Sequence, residues 1–168
     1  MTFVSAYGEE GAPSPYKVAT GDAGTWALTS LPTTVTESTY RYITHKRIYR
    51  TVVGNNSALY YRVATIALSD TSYDDTSNDD EVVLNEVLES TTWALPPDDL
   101  EGWVLMPNGY LVGWEGRRLC FSEPYRPWAW PAEYELSTEF EIVGLCVWGS
   151  TLVIGTKSQP YLGQGVTP

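Results

Sequence analysis

The 168-residue chain reads as all-β on three observations. Aromatic residues make up 13% of it, with seven Trp and twelve Tyr against two Met, and such rings favour the pleated, half-buried surface of a sheet. Fourteen Gly and eleven Pro punctuate it at short intervals, as turns between short strands require. Apolar residues reach 43%, enough for a sizeable core at this length.

The elements follow in chain order. Residues 3–7 form a strand that runs into the turn-rich loop 8–15, and residues 16–20 form another. After a turn at 21–24, residues 25–31 alternate, with Trp26, Leu28 and Ser30 on one face. Residues 40–53 and 59–68 are β-favouring runs joined by Gly54-Asn55-Asn56-Ser57, a hairpin signal. Residues 71–76, TSYDDT, make a shorter strand. In the irregular stretch 77–98, Asp79-Asp80-Glu81 ahead of Val82, Val83, Leu84, Val87 and Leu88 fits a short helix, because acids favour a helix N-terminus; an extended loop fits equally. Pro96-Pro97-Asp98-Asp99 is stiff, and the boundary is placed there, giving domains 1–97 and 98–168.

Residues 99–131, DLEGWVLMPNGYLVGWEGRRLCFSEPYRPWAWP, hold three strands. Asn108-Gly109 predicts a two-residue type I′ hairpin, since both central positions of that turn need φ > 0. Glu115-Gly116 makes the next turn, and Glu123-Pro124 ends the third strand. The pattern returns 41 residues on, pairing 104–106 with 145–147, 110–112 with 151–153 and 119–121 with 160–162, with a hairpin at Gly149-Ser150. A three-stranded unit recurring at about 40 to 45 residues is the signature of propeller blades. One antiparallel sheet with ordinary turn spacing is the simpler alternative. Two blades do not close a propeller, which needs about four, so an incomplete array, or one closed by other subunits, is expected.

The net charge of −11 argues against a protein that grips phosphate backbones, where Lys and Arg supply the affinity. DNA can pass such a surface without sticking. No apolar run approaches transmembrane length, and Met1-Thr2-Phe3-Val4 does not read as a signal peptide; folding in a reducing cytoplasm is expected. Cys120 and Cys146 lack any metal-binding spacing and read as reduced, mostly buried thiols.

No catalytic, cofactor or metal residue is assigned. His45, the only histidine, reads as part of a solvated strand face, with no nucleophile in a recognisable turn. The basic cluster Arg41, Lys46, Arg47 and Arg50 is expected to meet an acidic partner surface. The acidic stretch Asp70, Asp74, Asp75, Asp79, Asp80 and Glu81 lacks EF-hand spacing and reads as a solvated loop. The aromatic group around Trp103, Trp114, Trp128 and Trp130 admits three readings: core between blades, a sugar platform with Glu123 and Glu133 as paired carboxylates, or a subunit interface. Trp114, Arg117, Arg118, Tyr125, Arg126, Trp128 and Trp130 are the partner-interface candidates. Proline-rich backbone is cheap to order there, and rings and Arg supply anchors.

The string FVSAYGEEGAPSP resembles the end of a fibronectin type III module, and TSYDDT resembles the fifth strand of bacterial ones. Residues 40–76 look like the middle of such a module, so a permuted sandwich completed by residues 3–20 is preferred over two fragments. Lys46 departs from the family, which has a large apolar residue two places before the core Ile48. RRLCFSEPYRPWAWP, with KRIYRT before it and TKSQPYLGQGVTP after it, resembles structural proteins of tailed bacteriophages and prophages, in which a fibronectin type III-like segment precedes propeller-like repeats. The resemblance implies an all-β, non-enzymatic virion protein of the tail (tube, nozzle or connector), without cofactor, assembled with other tail subunits in the bacterial cytoplasm. A glycan-binding adhesion module using exposed Trp is the alternative.

Overall fold

The computed structural model describes residues 1–18, 24–35, 42–52 and 59–165. Over these the protein is nearly all β, as expected, in several antiparallel sheets. It divides into two compact units, Met1–Thr91 and Thr92–Pro168. The division precedes the Pro96–Asp99 stretch because Ala94 and Trp130 exchange both backbone hydrogen bonds, at 3.2 and 3.1 Å, and so tie the approach to the second unit.

In the first unit, β1 (Thr2–Ser5), β3 (Ile43–Arg50) and β4 (Tyr61–Ala67) form one sheet in the order β1-β3-β4. Strands β2 (Trp26–Leu28) and β5 (Tyr73–Asp75) form a second. The antiparallel pairing of β3 with β4 is the expected hairpin; its turn at Gly54–Ser57 lies outside the described residues. Of the strand expected over 16–20, residues 16–18 are not in a sheet, and 19–20 lie outside the described residues. Asp79–Val82 is a single helical turn, whose Glu81 carboxylate accepts the Asn78 N–H at 3.3 Å.

Lys46 is 0% exposed and shares the core face of β3 with Ile48. Its stem packs where a sandwich carries an apolar residue, and its ammonium donates to the carbonyls of Pro32, at 2.9 Å, and Asp70. Those bonds are what make the burial tolerable. Glu10 answers the strand beside it, accepting from Arg47 at 2.6 Å and from the Tyr49 hydroxyl at 2.7 Å. Arg50 pairs with Asp75 at 2.8 Å and with Asp79. The described part of the basic cluster therefore serves its own unit rather than a partner's acidic surface; Arg41 lies outside the described residues.

The second unit has two meanders. Strands β6 (Glu101–Leu105), β7 (Leu111–Glu115), β8 (Arg118–Phe121) and β9 (Glu135–Ser137) are consecutive neighbours in one sheet. Strands β10 (Ile142–Trp148), β11 (Thr151–Thr156) and β12 (Tyr161–Gly163) form the other. One core lies between them, drawn from Val112, Trp114, Leu119 and Phe121 of the first sheet and Ile142, Leu152 and Ile154 of the second.

The first hairpin differs from the type I′ expectation. Gly109 has φ +90° but Asn108 does not enter the left-handed region, and the Gly109 N–H bonds the Met106 carbonyl at 2.9 Å. This is a three-residue Pro107-Asn108-Gly109 loop, a turn followed by a left-handed glycine, and the ring of Pro107 sets its first φ. The second meander turns on two residues, Gly149-Ser150, between the paired Trp148 and Thr151.

That one-residue difference breaks the constant offset of 41. Val104 and Leu145 both face the core, but Val112 is buried in it while Val153, 41 residues on, lies on the opposite face beside Cys146. Because side chains alternate with period two, one residue fewer in the turn inverts the facing of everything after it at fixed spacing. The strand order recurs; the register does not.

Candidate functional site

In each sheet of the second unit, strand alternation assigns one set of side chains to the shared core and leaves the other on an outer face. On the outer face of the first sheet, Trp103, Gly113, Cys120 and Glu135 are successive cross-strand partners. The loop after β8 folds back over part of it. Trp130 packs edge to face on Trp103, with centroids 5.5 Å apart, and donates its indole N–H to the Pro127 carbonyl at 2.9 Å. Beneath this cover Cys120 is buried, and burial, assisted by the nearby Glu135 carboxylate, pushes its thiol up to about 11.

Where that cover ends, an open apolar groove of about 480 Å³ begins. The cross-strand pair Leu105 and Leu111 forms its sheet side, the Met106-Pro107 and Gly109 turn one wall, and Tyr125 and Pro127 the other.

The backbone at Tyr125 is unusual. The Arg126 N–H bonds the Glu123 carbonyl at 3.1 Å, closing a turn with Pro124 and Tyr125 at its centre, and Tyr125 has φ +58°. That is the sign pattern of a type II turn, in which the second central position normally belongs to Gly. A tyrosine there costs about 1–2 kcal/mol of backbone strain. The ring gains little burial in return, since Tyr125 is 75% exposed. It lies over Gly109, where an added Cβ would stand 2.7 Å from its atoms, and the Tyr125 N–H bonds the Gly109 carbonyl at 2.8 Å. A strained aromatic held on the wall of an apolar groove points to function rather than stability.

The interface candidates separate accordingly. Trp114 and Trp130 are corrected to core: Trp114 lies against Gly102, where a Cβ would meet its ring at 2.1 Å, and both rings are buried. Neither is free to anchor a partner. Arg118 bridges Glu115 and Glu135, the latter at 3.2 Å, and Arg126 lies over the Trp93 ring at 4.9 Å. Trp128 is half-buried. Arg117 and Tyr125 are exposed, and Tyr125 alone of the seven lines the groove. Of the proposed carboxylate pair, Glu123 lies beside Tyr134, and Tyr134's phenol is raised first by burial and then by that charge.

Sequence reasoning missed Leu105, Leu111 and Pro127. The signal was the Glu123-Pro124-Tyr125-Arg126 string, whose proline marks a turn with a bulky residue where Gly belongs.

Cys146 is also corrected: it is exposed. It belongs to the outer face of the second sheet, next to Val153 and through it Leu162, with Val143 and Trp148 on the same strand also exposed. Apolar residues on both faces of β10 implied burial on both, but the core covers one.

The chain matches no known protein family, and no curated protein matches it in sequence.

Proposed function

We propose that the chain is a non-enzymatic structural component of a tailed-phage or prophage virion, most plainly of the tail, and that it works through protein–protein contacts made at the Tyr125 groove. The observation that carries the docking role is the strained turn. An exposed aromatic is held at energetic cost on an apolar groove walled by two prolines, a pre-ordered surface that loses little entropy when covered. The lining offers apolar faces and one phenol, and sugar recognition needs several hydrogen-bonding side chains around a stacking ring. This favours a protein partner over a glycan.

The phage assignment rests on the sequence resemblance carried by LCFSEP and the following prolines and tryptophans. Pairing of β1 with β3 supports the permuted fibronectin type III-like reading of the first unit, because it seats the N-terminal strand on that unit's own sheet. The two consecutive meanders support blade-like repeats in the second.

The test is incorporation. Expressed with the remaining virion genes, the tagged chain should co-sediment with particles and be located on the tail by immunogold labelling, and Tyr125→Ala should lower its occupancy several-fold. Particles assembled without it, or polysaccharide turnover by the purified chain, would overturn the assignment.

A further inference from the structure

The second unit carries two apolar surfaces that its own fold leaves uncovered. One is the Tyr125 groove, on the outer face of the β6–β9 sheet. The other is the outer face of β10–β12, where Trp148 is 79% and Leu162 68% exposed, with Val143 and Cys146 beside them. Because the core lies between the inner faces of the two sheets, these surfaces point away from each other.

Their shapes differ. The first is a groove of about 480 Å³. The second carries a knob: Trp148 ends β10 just before the Gly149-Ser150 turn and has the greatest exposure of the large apolar side chains described in its unit. Indole is large and flat, and seating one buries about 200 Å².

Charge selects the occupant. The chain carries −11, and neither the groove lining nor the group Val143, Cys146, Trp148, Val153 and Leu162 contains an acidic or basic side chain. A basic partner would be held by the acidic surface and gains nothing from neutral patches. A second copy is repelled across most of its surface and can approach closely only where charge is absent.

We propose that copies of this chain assemble head to tail, the Trp148 face of β10–β12 of one copy seating in the Tyr125 groove of the next. The contact is heterologous, so each copy keeps one free groove and one free Trp148 face, and the series either closes into a ring or continues as a filament. Sheet then stacks on sheet from copy to copy, as blades do within a propeller. The inference rests on the structural reading above and names the partner.

Complementation tests it. Leu105→Glu places a charge in the groove and Leu162→Glu places one on the Trp148 face; both positions are about two-thirds exposed, at 67% and 68%, so both variants should melt as the parent does. In sedimentation velocity the full-length parent should pass from monomer to trimers and larger species with rising concentration. Each variant alone should associate at least about tenfold more weakly. Mixed in equal amounts, the two should form a dimer that grows no further, since Leu105→Glu retains its Trp148 face and Leu162→Glu its groove.

Self-association of Leu105→Glu at parental strength would mean the Trp148 face meets itself, and overturns the head-to-tail contact. So does a parent that stays monomeric at every concentration, or a mixture that does not form the dimer. None of these results touches the virion assignment, which stands or falls on particle incorporation. Should either variant lose its fold, Leu111→Lys and Val153→Lys repeat the pair on the same two faces.

Discussion

Truncating Tyr125 should reverse the usual order of alanine and glycine. Fully buried, a tyrosine removes roughly 150–250 Å² from water. At 75% exposure about a quarter of that is in contact, so either truncation forfeits some 50 Å², or about 1 kcal/mol at 25 cal/mol per Å². Alanine keeps a Cβ at φ +58° and retains the strain, so Tyr125→Ala should destabilise by about 1 kcal/mol. Glycine removes the Cβ and regains about 1–2 kcal/mol, offset by up to about 1 kcal/mol of added freedom in the unfolded chain. Tyr125→Gly should therefore lie near the parent and above Tyr125→Ala, whereas at ordinary φ glycine is the less stable of the two. Urea unfolding followed by tryptophan fluorescence suits the comparison, because six of the seven tryptophans lie in the second unit. Both variants should weaken assembly alike, separating the ring's role from the turn's stability. Equal midpoints, or Tyr125→Ala the more stable, would refute the claim that the turn is strained.

Three further outcomes are expected. Lys46→Met keeps the buried stem but gives up its bonds to the carbonyls of Pro32 and Asp70, which belong to exposed residues and can be rehydrated; it should cost the first unit about 1–2 kcal/mol, read from hydrogen exchange of β3 and β4. Native protein should titrate with one fast thiol, Cys146, and one slow, Cys120, which is buried and held near 11; two fast thiols would contradict the loop's cover over the first sheet. Tyr49 has its phenol raised above 10 by burial and by Glu10. The folded state thus holds a proton that the unfolded state releases, and stability present below pH 10 should fall as pH rises beyond it. Urea midpoints between about pH 8 and 11 should drop less steeply in Tyr49→Phe than in the parent.

Local chemistry made much of this legible in the sequence. Aromatic and β-branched runs between Gly and Pro favour strands, which is why β3 and β4 fall within the expected stretches and β7, β8, β10 and β11 overlap theirs, although residues 16–18 do not join a sheet. Asn108-Gly109 and Gly149-Ser150 mark hairpins because Gly109 and Gly149 take positive φ, +90° and +60°, which few other residues tolerate. What the sequence could not determine was which face of each strand is covered. Val143, Cys146 and Trp148 are as apolar as Leu145 and Val147, and only the placement of one sheet against the other separates exposed from half-buried. The same holds for the tryptophans: Trp114 and Trp130 are buried and Trp148 is bare, although all three have strand or turn neighbours of similar kind. A single residue in the Pro107-Asn108-Gly109 loop inverted the facing of the strands beyond it relative to the repeat. The groove itself exists because Tyr125 and Leu105, 20 residues apart, are brought together by a hydrogen bond from Tyr125 to Gly109. Propensity acts over a few neighbouring residues, whereas facing, cover and grooves are set by contacts between segments distant in the chain, and those only the tertiary structure decides.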